Sequence, residues 1–285
     1  MADRDTVVVA DSCCDIPADI AQKYGIRILP VHIIYPDMEY EDGVNIDPLM
    51  VYEKGPDVIP KTSMPSPGEV EDFFESIKEE GYSKVIAITL SSRLSGTWNV
   101  FRMAAEDMDD LNIFVFDTKN ISIGSGIYAI WAARKLEEGM TFEEITAKLP
   151  EKIHDSHLMF YMDTLVYLAK GGRIGNVTHM IASVLNIKPI ISCDEEGVYY
   201  TVAKIRGARK SKEKLLSEIV SHGTGKDCWA IVMNGGAEEE GSRMLELVKE
   251  KLPHAEIIFG NRQITASLAA HTGPGLVGML CFVDP

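Results

Sequence analysis

The sequence has no apolar run approaching the ~20 residues that a membrane-spanning helix requires. Its first residues, Met1-Ala2-Asp3-Arg4-Asp5, carry charge where a secretory leader needs an apolar stretch. Both absences point to a cytoplasmic protein. The five cysteines, Cys13, Cys14, Cys193, Cys228 and Cys281, are odd in number and contain no C-x-x-C pair. That argues against a disulfide framework or a zinc ribbon and fits free thiols in a reduced compartment. Positive charge is scarce: 28 Lys and Arg against 43 Asp and Glu give a formal charge of −15. Such a field repels nucleic acids and anionic membranes, so an anionic ligand would have to be held by local donors.

Several enzyme signatures are missing as well. Gly223-Thr224-Gly225-Lys226-Asp227 has the wrong spacing for a P-loop and lacks a hydroxyl residue after the lysine, so no ATP site is expected. Ser95 is not in a G-x-S-x-G elbow, and Asp11 lacks a second aspartate two residues on. Neither Cys13 nor Cys14 is followed by an arginine at the spacing of a cysteine phosphatase. His154 and His157 have no acidic or thiol companion at ligand spacing, and no metal is assigned.

What is present is alternation. With 285 residues, 46% of them hydrophobic, the chain exceeds one ordinary core and is expected to form two lobes, 1–150 and 151–285. Val7 to Ala10 reads as a buried strand, Pro17 opens a helix that Gly25 ends, and the apolar run Ile26 to Tyr35 follows as the next strand. Ser66-Pro67-Gly68-Glu69 is a capping box with proline at the first helical position, and Thr141 with Glu144 forms another. Strands are expected at Lys84 to Leu90 and Asn112 to Phe116, and a helix from about Gly124 to Glu138. In the second half, strands are expected at His157 to Met162, Ile187 to Ile191, Val198 to Ile205, Cys228 to Met233, Ala255 to Phe259 and Leu276 to Val283. Asp194 to Gly197 reads as a hairpin turn. The class is α/β, with a mostly parallel N-terminal sheet and a mixed C-terminal lobe.

Polar loops follow three strands of the first half, where open α/β sheets bind ligands: Asp11 to Asp15, Ser91 to Thr97, and Asp117-Thr118. Ser91-Ser92-Arg93-Leu94-Ser95-Gly96-Thr97 runs into a helix and serves either as a plain cap or as an anion site of hydroxyls and backbone N–H groups. Pro60, Pro65 and Pro67 stiffen the loop that carries Thr62-Ser63. That loop is either a rigid lead-in to the capped helix or a holder of neutral donors for a carboxylate. His271 precedes Gly273-Pro274-Gly275, a stretch that allows close backbone approach. Gly171-Gly172-Arg173 ends a short helix, and Lys204, Arg206, Arg209, Lys210, Lys212 and Lys214 concentrate positive charge as a solvated face or a docking patch.

Taken together, Asp11-Ser12 with Asp15-Ile16-Pro17, Asp42-Gly43-Val44, Thr62-Ser63 with Pro65-Ser66, Ser91-Ser92 with Leu94-Ser95-Gly96-Thr97, Gly171-Gly172-Arg173-Ile174, Lys188-Pro189, and His271 with Gly273-Pro274-Gly275 resemble the DegV family. Members of that family are similar to the fatty-acid-binding subunit of bacterial fatty acid kinase. The resemblance spans nearly the whole chain. It implies two α/β lobes with a long-chain fatty acid between them and no cofactor or catalytic residue of the chain's own. It implies a carboxylate site at Thr62, Ser63, Ser95, Gly96 and His271, and Arg173 and Arg206 on a side facing an ATP-dependent kinase that forms the acyl phosphate. Met64 departs from the family's usual glutamine and removes an amide beside the carboxylate loop. Ile121 to Ile130 and Val177, Met180, Ile181, Val184 and Leu185 are candidate walls for the acyl chain or ordinary core. The rival readings are a lipid-sensing or storage protein without a kinase, and a stand-alone hydrolase or phosphatase.

Overall fold

The computed structural model describes residues 5–180 and 187–285. The chain begins with β1 (Thr6–Asp11), α1 (Ala18–Lys23) and β2 (Arg27–Leu29), a βαβ unit whose strands pair in parallel. β3 (His32–Ile34), β4 (Glu39–Glu41), α2 (Pro48–Glu53) and β5 (Lys61–Ser63) come next, followed by α3 (Pro67–Glu79), β6 (Lys84–Thr89) and α4 (Thr97–Glu106). β7 (Asn112–Asp117), α5 (Ile123–Glu137) and α6 (Phe142–Lys148) complete this half. The first sheet runs β2-β1-β6-β7, all parallel. Every residue of β1 is buried because helices cover both faces, which is why it reads as an unbroken apolar run.

The second half contains β8 (Ser156–Tyr161), α7 (Val166–Lys170), β9 (Ile187–Cys193), β10 (Tyr199–Arg206) and α8 (Ala208–Gly223). It continues with β11 (Cys228–Gly235), α9 (Glu238–Lys251), β12 (Glu256–Ile257), β13 (Arg262–Gln263), α10 (Ala266–Thr272) and β14 (Leu276–Val283). Its sheet runs β10-β9-β8-β14-β11-β12, with β13 also on β11. Pairing is antiparallel except where β12 and β13 lie parallel to β11. The molecule is thus a two-lobed α/β protein with a parallel and a mixed sheet.

Three expectations change. The apolar stretch Ile26 to Tyr35 is two strands in different sheets: Pro30 cannot donate to a ladder, and there the chain leaves β1 for a small antiparallel sheet, β4-β3-β5. The segment expected as a stiff loop at Lys61–Ser63 is the edge strand of that small sheet, with Thr62 opposite Ile33. The strand expected at Ala255 to Phe259 pairs only at Glu256–Ile257.

Two helices tie the lobes together. All residues of α5 from Ile123 to Ala133 are buried, as in a helix covered on every side. It packs on β1 and β6 of the parallel sheet and on β8 and β14 of the mixed one. α10 follows β13 but packs on α2 and the small sheet, its Ala266, Ala269 and Ala270 clustering with Val51 of α2 and Ile33 of β3. Small side chains let the helix come close to the sheet, and this contact places the end of α10 beside β5. Among the described residues no helix is long and apolar enough to cross a membrane.

Candidate ligand-binding site

Where α10 meets β5, the Thr62 hydroxyl lies 2.9 Å from His271 Nε2, a contact between residues 209 positions apart. Both side chains line a chamber with an empty volume of about 540 Å³, its open mouth included. Ser63, Met64, Ser95 and Arg173 also line it. Ser95 Oγ lies 2.9 Å from Thr97 Oγ1 and accepts the Thr97 N–H at 3.3 Å. Ser95 thus holds the first N–H of α4 while Gly96, the N-cap residue, makes no side-chain cap bond. Ser63 turns its hydroxyl onto the Met64 carbonyl at 3.1 Å. Gly96 is the N-cap of α4, and Met64 Sδ lies 2.5 Å from where a Cβ would stand on it. The thioether, 43% exposed, therefore covers Gly96 at the mouth.

Behind the imidazole, Gly171 leaves the ring its space. A Cβ there would stand 2.3 Å from His271 Nδ1. Nδ1 itself is buried without a hydrogen-bond partner. Burial, aided by the nearby Arg173 cation, pushes the imidazole pKa down to about 4, so the ring is neutral at physiological pH. Arg173 donates to the Gly171 carbonyl at 2.8 Å and reaches the Leu94 carbonyl at 3.5 Å, spanning from the α7 turn to the Ser91–Thr97 loop. An outer cleft shares Thr62, Arg173 and His271 with the chamber and adds Gly171, Lys61, Lys170 and Asp57. Arg206 ends β10 on the exposed surface and does not line the chamber. Of the basic stretch beyond it, Arg209, Lys212 and Lys214 each pair with a glutamate.

The Asp11–Asp15 loop forms a buried acidic floor that the sequence did not assign. Asp42 accepts from the hydroxyls of Ser12 at 2.9 Å and Ser267 at 2.5 Å. Asp15 accepts from the Ser122 hydroxyl at 2.6 Å and the Thr265 N–H at 2.8 Å. Asp11 accepts the Leu90 N–H at 2.9 Å, and its other oxygen has no partner. Burial raises Asp11 and Asp15 to about 7 and moves Asp42 in the same direction. These carboxylates fasten the loop to β6 and α10. Cys13 reaches the chamber, but burial holds its thiol well above the ordinary thiol range, which leaves it a poor nucleophile. Asp117 is likewise structural, accepting the N–H groups of Ser92 and Lys119.

Ile121, Tyr199, Leu268 and Thr272 are shared with a second, inner cavity whose empty volume, open space included, is about 360 Å³. Its walls are mainly apolar: Leu158, Phe160, Met233, Ile264 and Leu276. Of the stretch expected as a wall, Ile121 and Ser122 line this space while Ile123 to Ile130 are buried in the core. Val177 is also buried core; the side chain of Met180 and residues Ile181, Val184 and Leu185 lie outside the described residues. Most of the inner walls come from the second half, from alternate positions on β8 and β14 and from Met233 on β11. Those positions carry no signal in the sequence beyond that of ordinary core.

The fold and site define a two-lobed α/β protein with an amphipathic pocket between its lobes, hydroxyl and imidazole groups at the mouth and apolar side chains within. The chain belongs to the DegV family: the family model described as "Uncharacterised protein, DegV family" matches residues 5–284. A DegV domain-containing protein of Clostridium acetobutylicum is 38% identical over 277 residues, covering 96% of this chain and 98% of the relative. Among solved structures, a fatty-acid-binding DegV family protein from Thermus thermophilus is similar with a TM-score of 0.90 at 28% identity, over 98% of this chain and 99% of that one. DegV of Bacillus subtilis, described as a fatty acid binding protein, is similar with a TM-score of 0.86 at 30% identity, covering 98% and 99% of the two chains. A stearic-acid-binding protein from Eubacterium ventriosum has a TM-score of 0.89 at 28% identity, covering 97% and 98%.

Proposed function

We propose that this chain binds one long-chain fatty acid and presents its carboxylate, from the cytoplasm, to a partner ATP-dependent fatty acid kinase. The acyl chain lies in the inner cavity between a lobe of residues 1–150 and one of 151–285. The carboxylate sits in the outer chamber against Thr62 and Ser95. The observation that carries this reading is the Thr62–His271 contact of 2.9 Å, because it joins a neutral hydroxyl and a neutral ring in a chamber that shares its inner walls with an apolar cavity. A buried N–H without an acceptor is rarer than a bare lone pair. The partnerless Nδ1 is therefore taken as unprotonated, with Nε2–H donating to Thr62 Oγ1. The Thr62 proton is then free to donate to the ligand, and no buried positive charge is needed.

The kinase supplies ATP, magnesium and the phosphoryl transfer, while this chain supplies binding and orientation. Arg173, between chamber and outer cleft, and the exposed Arg206 face the partner in this account. The similarity to solved structures described as fatty-acid-binding supports the ligand class. The test uses a separately purified kinase with ATP and a fatty acid. Acyl phosphate should form only when this protein is added, and formation independent of it would leave a storage or sensing role.

A further inference from the structure

The face of β14 that looks toward the inner cavity carries Leu276, Gly278, Leu280 and Phe282, three large apolar residues and one glycine. Nothing in the backbone requires that glycine. Its φ is not in the left-handed region, and the ladders to β8 and β11 run through it without a bulge. Glycine inside a strand weakens it and often marks a place where a ligand comes close. Gly278 stands between Phe160 and Met233 on the neighbouring strands, and all three line the inner cavity. A Cβ at 278 would meet Leu276, Met233 and Phe160 carbons at 3.8 Å each, an ordinary contact. There is room for a side chain, and the room belongs to the cavity. None of Phe160, Met233 and Gly278 lines the outer chamber, so this row is the distal wall.

We infer that Gly278, facing Met233, sets how long an acyl chain the protein accepts. The inference rests on the fatty-acid reading above. A side chain at 278 would take up volume that the terminal methylenes of a long chain need. A smaller residue at 233 would release volume.

The test measures dissociation constants for lauric, myristic, palmitic, stearic and arachidic acids with the wild-type protein, Gly278→Ala, Gly278→Val and Met233→Ala, with thermal unfolding alongside. Each excluded methylene weakens binding about fourfold, so stearic acid should bind roughly fourfold worse to Gly278→Ala and about tenfold worse or more to Gly278→Val. Myristic acid should be little affected, and Met233→Ala should shift the preference toward arachidic acid. If Gly278→Val does not fold, the alanine variants still decide. Folded variants with the wild-type chain-length profile would overturn the inference while leaving the ligand class intact. A wild-type protein that binds none of the five acids would instead remove the fatty-acid reading and the inference with it.

Discussion

In the proposed reading, Thr62 and His271 divide one task between a donor and its support. Deleting a hydrogen bond to a charged group costs about 1.5–3 kcal/mol, so Thr62→Ala should weaken fatty acid binding by roughly 10- to 100-fold with little change in stability. Titration calorimetry against thermal unfolding checks this, and equal losses in both would assign Thr62 a structural role. Asp15 makes a different prediction because it is buried behind the site. Its pKa of about 7 in the folded chain exceeds the ordinary carboxylate value of about 3.9. Between those values the native state holds a proton that the unfolded chain has lost, so the group's contribution to stability falls as pH rises through the window. Asparagine tolerates the left-handed backbone at this position, where φ is 59°. The stability of Asp15→Asn relative to wild type should therefore rise by up to about 1.4 kcal/mol per pH unit from about pH 5 to 7. Urea unfolding across that range measures it, and a constant difference would contradict the burial argument.

At the scale of elements, the segment from Lys61 to Glu69 divides into two parts that fall on different residues. Ser66 and Glu69 form a reciprocal capping box on α3, while Thr62 lies on β5 and faces the chamber. Ser66→Ala should cost about 1 kcal/mol of stability and leave ligand affinity unchanged; thermal unfolding and a binding titration separate the two. That box and the one at Thr141 were legible because their partners are three residues apart. The small sheet was not legible, since its pairing depends on where Pro30 diverts the chain and no local period records that. Nor could the sequence show that α10, with Ala266, Ala269 and Ala270, crosses to Ile33.

Over the whole molecule, alternation of strands and helices made the α/β class readable, and the hairpin at Asp194–Gly197 forms where its turn residues lie. The pocket was readable only in part. Its polar residues stand out beside the prolines and glycines that flank them in the sequence, whereas Leu158, Phe160, Met233 and Leu276 look like any other strand core until β8, β14 and β11 are laid side by side. The net charge of −15 makes the cluster of Lys61, Lys170 and Arg173 beside the mouth a local exception. Arg173→Ala and Arg206→Ala should lower kinase-dependent phosphorylation more than fatty acid affinity, and parallel losses would place both residues in ligand binding instead. The most direct test of the account is to denature the purified protein in organic solvent and identify what it releases by mass spectrometry. One long-chain fatty acid per protein molecule is the predicted result; well-folded protein that releases no lipid and takes up none when offered it would contradict the account.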